Sequence, residues 1–475
     1  MFERTPFAGK PNPQLRKAAA AIFTAAVRAV DPAAAVRRML VRRGHRLRLD
    51  TRWYDLRQSR RILVVGAGKA AAPMAAAVEQ VLGKRITDGL VIVKYGHVGP
   101  LRRIRLVEAG HPLPDTAGER GAAQMLELLR SASEDDLVVC LVSGGGSALL
   151  PAPVPGLSLQ EKIAVTDLLL RSGATIQEVN VVRKHLSQVK GGRLAQAAAP
   201  ARLLVLVLSD VVGDPLDAIA SGPASPDPTT FADALAVVRR YQMEERLPAS
   251  ALAYLRRGAS GHVAETPKPG DPLFHRVQVV VVGNNTRALA AAANRAKGLG
   301  FRVLVLTPFL QGEAREVARV FASVARSIRA VRTPLIPPAC LLAGGETTVT
   351  VHGPGRGGRC QEFALAAAAE IAGWPETVVA GFGTDGTDGP TDAAGALVDG
   401  ETTARATSLG LDLDRALADN DSHAVFRDLG DLLVTGPTKT NVNDVYLALV
   451  GQTAPAREET RVTRRSKHAL RMTRG

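Results

Sequence analysis

Six short loops of this 475-residue chain concentrate the residue types that bind anions and carry protons or metals. They read GAGK (66–69), SGGGSA (143–148), SDVVGD (209–214), VGNN (282–285), GGETT (344–348) and GTDGTDGPTD (383–392). Glycine-rich turns let backbone N–H groups approach an anion, and a helix opening behind such a turn adds its positive end. In GAGK, Gly66 and Gly68 permit that approach and Lys69 supplies a point charge. In SGGGSA, the run Ser143, Gly144, Gly145, Gly146 and Ser147 suits a phosphate cradle better than a nucleophile, because the GxSxG elbow is missing. The acidic loops hold Asp210, Asp214, Asp385, Asp388 and Asp392. Mg2+ takes one or two carboxylates plus substrate phosphates and water, so Asp210, Asp385 and Asp388 are the metal candidates; Asp-Gly is also a common turn dipeptide, so some of the five are structural and two are expected to matter. Zinc is not indicated, since neither HExxH nor a Cys/His cluster occurs.

Two further segments bear cations. NVVRKHLSQVKGGRLA (180–195) reads as a helix that turns near Gly191 and Gly192, carrying Arg183, Lys184, Lys190 and Arg193. If it lines a cleft, Lys190 faces phosphates, whereas His185 reads as a packed or capping residue. GPGRGGRCQEFALAAA (353–368) puts Arg359 at a helix start, where the dipole does not favour a cation. An arginine there implies an anionic partner, which guanidinium grips bidentately.

These loops need a scaffold that brings them together. Apolar runs at 62–66, 90–94, 104–109, 137–143 and 203–210 alternate with helical stretches at 70–82, 117–131 and 158–172. That alternation predicts a doubly wound, mostly parallel Rossmann-like sheet over residues 1–257, with ligands outside the carboxyl ends of its strands. Residues 14–43 read as two helices broken at Asp31-Pro32. The Pro- and Gly-rich stretch 258–275 reads as a linker. A second series of runs (277–285, 301–307, 339–351, 377–386, 431–436) predicts a second three-layer α/β domain over 276–451. The period-two pattern of TTVTV (347–351) points to a mixed sheet there. Six anion-suited strand ends argue for a polyanionic ligand, a nucleotide, in a cleft between two domains.

Composition narrows the class. Hydrophobic residues are 46% and charged residues 22%, enough for a sizeable core. Three cysteines without CxxC fit a reducing, cytoplasmic setting, and no apolar run is long enough for a membrane span. The net charge of +15 sits at the ends: +11 in residues 1–61 and +5 in 452–475, with −1 between them. Aromatics are only 4%, so no specific nucleic-acid partner is expected, and the basic tail 452–475 reads as disordered. The oligomeric state stays open, a homo-oligomer included.

GAGK is not a Walker A loop; it is half a dinucleotide fingerprint with Ala71 in place of the third glycine. Asp88 has the spacing of the ribose-binding acid but precedes strand 90–94, which ends in Lys94. NAD(P)H binding is therefore the weaker reading of that turn.

Taken together, VGAGKAA, SGGGSALL, NVVRKHLSQVKGGRLA, LSDVVGD with IASGPASPDPTT, GGETTVTVHGPGRGGRCQE, GTDGTDGPTDAAGALVD and LLVTGPTKTNVND resemble the glycerate 2-kinase family, whose C-terminal part is the MOFRL domain. The resemblance covers roughly residues 15–450. It implies a two-domain α/β enzyme that uses ATP and Mg2+ to phosphorylate D-glycerate at the 2-hydroxyl. It places the family's proposed Lys and Arg on Lys69 and Arg359; the residues themselves leave Asp210 and Asp385 or Asp388 to carry Mg2+, or one of them to accept the hydroxyl proton. An NAD(P)H-dependent hydroxypyruvate reductase is the rival that the family's older label suggests. The chain departs from the family pattern GGRNQE by placing Cys360 where that pattern has Asn.

Overall fold

A computed structural model describes residues 9–452, so the basic tail beyond them lies outside the described residues. The chain opens with helix Pro13–Ala29 and, after the break at Asp31, helix Pro32–Met39. The Asp31 carboxylate accepts the Ala34 N–H at 2.7 Å, and Pro32 fills the first helical position. The helical reading of 14–43 runs too far. Leu40 turns into β1 (Leu40–Arg43), which pairs antiparallel with β2 (Arg46–Leu49), followed by β3 (Arg52–Asp55). Gly44, with φ +60°, makes the intervening turn, and Leu47 and Leu49 face the core. Much of the N-terminal positive charge lies on this small sheet.

The first large sheet is entirely parallel. Its strands are β4 (Ile62–Ala67), β5 (Asp88–Lys94), β6 (Arg105–Ala109), β7 (Leu137–Val142), β8 (Arg202–Leu208) and β9 (Val277–Gly283). Their spatial order is β6-β5-β4-β7-β8-β9. This is the doubly wound dinucleotide-fold order, and it reverses direction between β4 and β7. Both strands are buried along their whole length, as continuous Val/Leu/Ile runs require.

The position of β9 corrects the sequence-based boundary. Val277–Gly283 pairs in parallel with β8, so it completes the first sheet and does not begin the second. The segment 258–275 is the crossover that delivers it. A Pro/Gly-rich crossover has the same composition as an interdomain linker, which is why the two are indistinguishable in sequence.

The second sheet contains β10 (Arg302–Leu310), β11 (Ala339–Gly345), β12 (Thr377–Gly383), β13 (Gly395–Asp399), β14 (Leu432–Leu433) and β15 (Asp444–Val450). The order is β10-β11-β15-β12-β13-β14, with only β10 and β11 paired in parallel. The sheet is mixed, as expected, but not because of TTVTV. Strand β11 stops at Gly345, and the Thr350 N–H turns aside to the Glu313 carboxylate. The mixed character comes from β15, which runs antiparallel between β11 and β12.

The N-terminal helix belongs to this second lobe. Phe23 stacks on Phe382 of β12 at 4.9 Å, and buried Arg16 bonds Asp399 and Asp431. One apolar layer continues through both lobes, from Val64 and Leu206 to Leu342 and Leu447. Among the described residues no single helix is long and apolar enough to cross a membrane.

Candidate active site

The carboxyl edges of the two sheets face one another. On the first, the turn after β4 and the loop after β7 interlock at the point where strand order reverses. The Lys69 N–H donates to Gly144 O at 2.8 Å, and the Ala70 N–H donates to Ser143 Oγ at 3.1 Å. At Gly68 (φ +142°) a Cβ would fall 2.1 Å from Ser143 Oγ, so only glycine allows this contact. Gly144 has Asp210 Oδ2 only 2.0 Å from where its Cβ would stand, so the Asp210 carboxylate lies directly on the loop. Among the described residues the Gly144 and Gly145 N–H groups have no backbone acceptor, which suits an anion cradle. Gly66 and Gly146 act one step back. Gly66 lies inside β4, where a Cβ would press on Leu141 of β7, and Gly146 packs against Ala220.

A cavity of about 480 Å3 lies between the lobes, lined by Lys69, Lys94, His97 and Gly144 on one side and Asp385, Thr387, Lys439 and Asn441 on the other. This size falls within the range of small-ligand sites. A second cavity of about 650 Å3 lies within the second lobe, lined by Glu346, Val349, Gly358, Arg359 and Asn420. The two meet at Asp385 and Thr387, which line both. Lys69, Lys94 and Lys439 form no ion pair among the described residues, so their charge is available to a ligand.

The acids are graded by their surroundings. Burial pushes Asp210 up to about 6, opposed by Lys69 and reinforced by Glu346 and Asp385. Asp385 stays at the cavity junction and accepts the Thr387 N–H at 3.0 Å. Asn443 ties the lobes together, donating to Asp210 O at 2.7 Å and to Glu346 Oε2 at 2.9 Å. Burial also lifts Asp444 to about 7, against the pull of Arg359.

Arg359 has the anionic partners that its position at a helix start implied, but they belong to the protein. It reaches Asp444 at 2.5 and 3.1 Å and Glu346 at 2.7 Å. Three of its five N–H donors are thereby occupied, and two remain for a ligand. Asp444 and Asn443 escaped the sequence reading, which looked for loops at the ends of strands; Glu346 lies in the GGETT loop that it named but was not singled out there. Because β15 is antiparallel to its neighbours, its first residues reach the same edge.

Two expected ligands are spoken for. Asp388 is buried and caps helix Arg359–Glu370: Oδ1 accepts the Cys360 N–H at 3.0 Å, and Oδ2 accepts the Gln361 N–H at 2.8 Å and its side-chain amide at 3.0 Å. With both oxygens engaged by the helix, its observed role is that of a structural cap. Lys190 is likewise fully buried and does not face the cavity. Its Nζ donates to Ser147 O at 2.8 Å and to Ser147 Oγ at 3.0 Å, pinning the loop from behind. His185 is packed against Phe231, as expected. Cys360 is wholly buried in the core of the second lobe and does not line either cavity, although Asp444, Asp388 and Arg359 lie near its thiol.

His111 was not foreseen. It follows β6, and its ring lies about 3.0 Å from where a Gly145 Cβ would stand. Burial, with Lys69, Lys94 and His97 adding repulsion, lowers its pKa to about 4, so the ring is neutral near pH 7.

The carboxylates offer a test of metal chemistry. Among the described residues no three His, Cys, Asp or Glu side chains converge as a preformed metal cage. Asp385 and Glu346 instead line the two adjoining cavities as oxygen donors, with Asp210 held against Gly144 beside them. That arrangement fits Mg2+, which draws the rest of its shell from phosphates and water.

Family models match two parts of the chain: a domain of unknown function, DUF4147, over residues 18–256, and the MOFRL family over residues 339–444. A D-glycerate 2-kinase of Thermotoga maritima is 44% identical over 437 residues, covering 92% of this chain and 98% of that one. A glycerate 2-kinase of Pyrococcus horikoshii is 42% identical over 426 residues, covering 90% and 95%. The solved structure of a Thermotoga maritima glycerate kinase superimposes with a TM-score of 0.83 at 42% identity, covering 92% of this chain and 99% of that one.

Proposed function

The chain belongs to the glycerate 2-kinase family, and from that premise we propose that it transfers the terminal phosphoryl group of ATP, with Mg2+, to the 2-hydroxyl of D-glycerate. It is a glycerate 2-kinase; the choice of ATP, the metal and the roles of individual residues are the proposal. The observation that carries it is the interlobe cavity, which three unpaired lysines line together with Asp385, while Asp210 lies against Gly144 at its rim and Glu346 lines the adjoining cavity. Phosphoryl transfer needs this combination of charge neutralisation and positioning more than covalent catalysis.

In this reading Lys69, Lys94 and Lys439 neutralise the phosphates, and the Gly144 and Gly145 N–H groups cradle one of them. Asp385 and Glu346 would hold Mg2+, whose chemistry is to screen charge on the phosphate oxygens. Asp210, with a pKa near 6, accepts the proton of the 2-hydroxyl as that oxygen attacks the terminal phosphorus. The bond from phosphorus to the bridging oxygen breaks and ADP leaves. Arg359 holds the acid cluster in register and offers its two remaining N–H groups to the transferring oxygens.

The nicotinamide alternative gains little from this site. β5 ends in Lys94 and not in a ribose-binding acid, and a ring of lysines suits a triphosphate. Lys69→Ala tests the reading. ADP formation should fall by about 10³-fold, an effect of the size seen when charge stabilisation of the transition state is lost. The melting temperature should be unchanged, because the Lys69 side chain is partly exposed with no protein ion pair. Near-normal turnover would remove Lys69 from the mechanism.

A further inference from the structure

We propose that Arg183, seated on Ser147 and backed by Lys190, binds the carboxylate of the acceptor substrate. This deepens the kinase reading above and rests on it.

Arg183 lies on helix Ile176–His185 and donates from Nη2 to Ser147 Oγ at 2.7 Å. Lys190 donates to the same oxygen at 3.0 Å, so both of its lone pairs are filled by cations. The Ser147 hydroxyl meets Ser221 Oγ at 2.8 Å, and Ser221 in turn donates to Asn180 Oδ1 at 3.0 Å. Ser221 and its neighbour Ala220 both take left-handed conformations, φ +61° and +51°, which non-glycine residues adopt only when the surroundings impose them. Behind this group, buried Lys162 spends its charge on Leu186 O at 2.7 Å.

Lys162, Arg183 and Lys190 have no carboxylate within ion-pair distance among the described residues. The adjacent Lys184 shows what the fold does with a cation that needs no ligand: it pairs with Asp217 at 3.2 Å and Asp227 at 3.4 Å. Burying cations without counter-ions is costly, and an incoming anion removes the penalty. Burial and mutual repulsion already hold Lys162 down to about 7. Access is one-sided. Lys190 is fully buried, whereas Arg183 and Ser147 are partly exposed, so an anion arrives at the guanidinium.

The loop 143–147 fixes which anion. Lys69 Cγ lies 3.3 Å from where a Gly145 Cβ would stand, and Asp210 lies against Gly144. Arg183 meets the same loop at Ser147. Lys69 and the proton acceptor Asp210 thus lie against the glycines of a five-residue loop, and an unpaired guanidinium is at its end. A three-carbon hydroxy acid has its carboxylate on the carbon that bears the reacting hydroxyl. Its planar carboxylate fits the planar fork of Arg183 while the hydroxyl faces Asp210.

The test measures kcat, the KM for D-glycerate and the calorimetric Kd of a non-hydrolysable ATP analogue in wild type, Arg183→Gln and Arg183→Lys, with melting curves for each. We expect the KM for D-glycerate to rise about 100-fold in R183Q and about 10-fold in R183K, with nucleotide affinity within about threefold of wild type. An unchanged KM for D-glycerate overturns the assignment. So does weakened nucleotide binding with that KM unchanged, which would make the anion a nucleotide phosphate. If R183Q fails to fold, R183K and Ser147→Ala carry the test, and wild-type KM in both overturns it. A wild-type enzyme that does not phosphorylate D-glycerate would defeat the kinase reading instead. Direct calorimetry of D-glycerate on wild type and R183K would then still decide the carboxylate site.

Discussion

Replacing Asp388 by Ala separates the two roles open to this residue, structural cap and metal ligand. In the structure its carboxylate takes two N–H groups of the first turn of helix Arg359–Glu370 and the side-chain amide of Gln361. Losing a cap costs about 1–2 kcal/mol, and leaving a buried amide short of its acceptor costs about 1–2 more. Burial raises the pKa of this carboxyl, so removing the charge recovers part of that loss. Before that recovery the loss is about 2–4 kcal/mol, and for a lobe of this size each kcal/mol lowers Tm by about 2–4 °C. A drop of about 5–12 °C should follow for D388A, and about half of it for D388N, which keeps an acceptor oxygen. Thermal unfolding by circular dichroism gives the shift, and titration of turnover with Mg2+ gives the metal requirement. Activity should fall as well, because the cap sets the position of Arg359, but the Mg2+ half-saturation should hold. A variant with wild-type melting and a tenfold higher Mg2+ requirement would refute the cap and restore Asp388 to the metal.

Three other predictions rest on separate contacts. Gly144→Ala puts a methyl group 2.0 Å from Asp210 Oδ2; turnover should fall at least about 100-fold, and wild-type turnover would mean that Asp210 is not held against the loop for chemistry. Arg16→Met leaves buried Asp399 and Asp431 with Arg405 as their remaining arginine. It should destabilise the second lobe by about 3–5 kcal/mol in a urea titration, and a loss under about 1 kcal/mol would show the pair to be dispensable. His111 has a folded pKa of about 4 against the ordinary 6.5, so stability from its neutral ring is present above pH 6.5 and is lost as pH falls towards 4. The full loss is at most about 3 kcal/mol, less after solvent screening. His111→Gln should flatten that part of the stability–pH curve, and an unaltered slope would place the titration elsewhere.

The sequence exposed the chemistry better than its division into lobes. GAGK, SGGGSA and SDVVGD read as strand-end loops, and they do meet where β4, β7 and β8 end, because a parallel strand delivers its last residues to one edge. Asp444, Asn443 and Lys439 were invisible to that rule: they lie at or before the start of an antiparallel strand, and only the sheet order reveals which edge they share. Lys190 shows the limit of reading charge alone. Its type and neighbourhood suited a phosphate, but whether a lysine faces a cleft or supports the loop behind it depends on packing that sequence does not contain. The boundary misplaced at 276 has a similar origin, since β9 is apolar in either sheet and only pairing with β8 assigns it.

The most direct measurement is the product formed from D-glycerate, ATP and Mg2+, with the phosphorylated carbon identified by NMR. Hydroxypyruvate with NADH or NADPH serves as a parallel sample. ADP and 2-phosphoglycerate in the first, with no nicotinamide oxidation in the second, is the predicted result. Nicotinamide oxidation without ADP would contradict it, because the lysine-lined cavity and the loop after β7 would then be holding a dinucleotide.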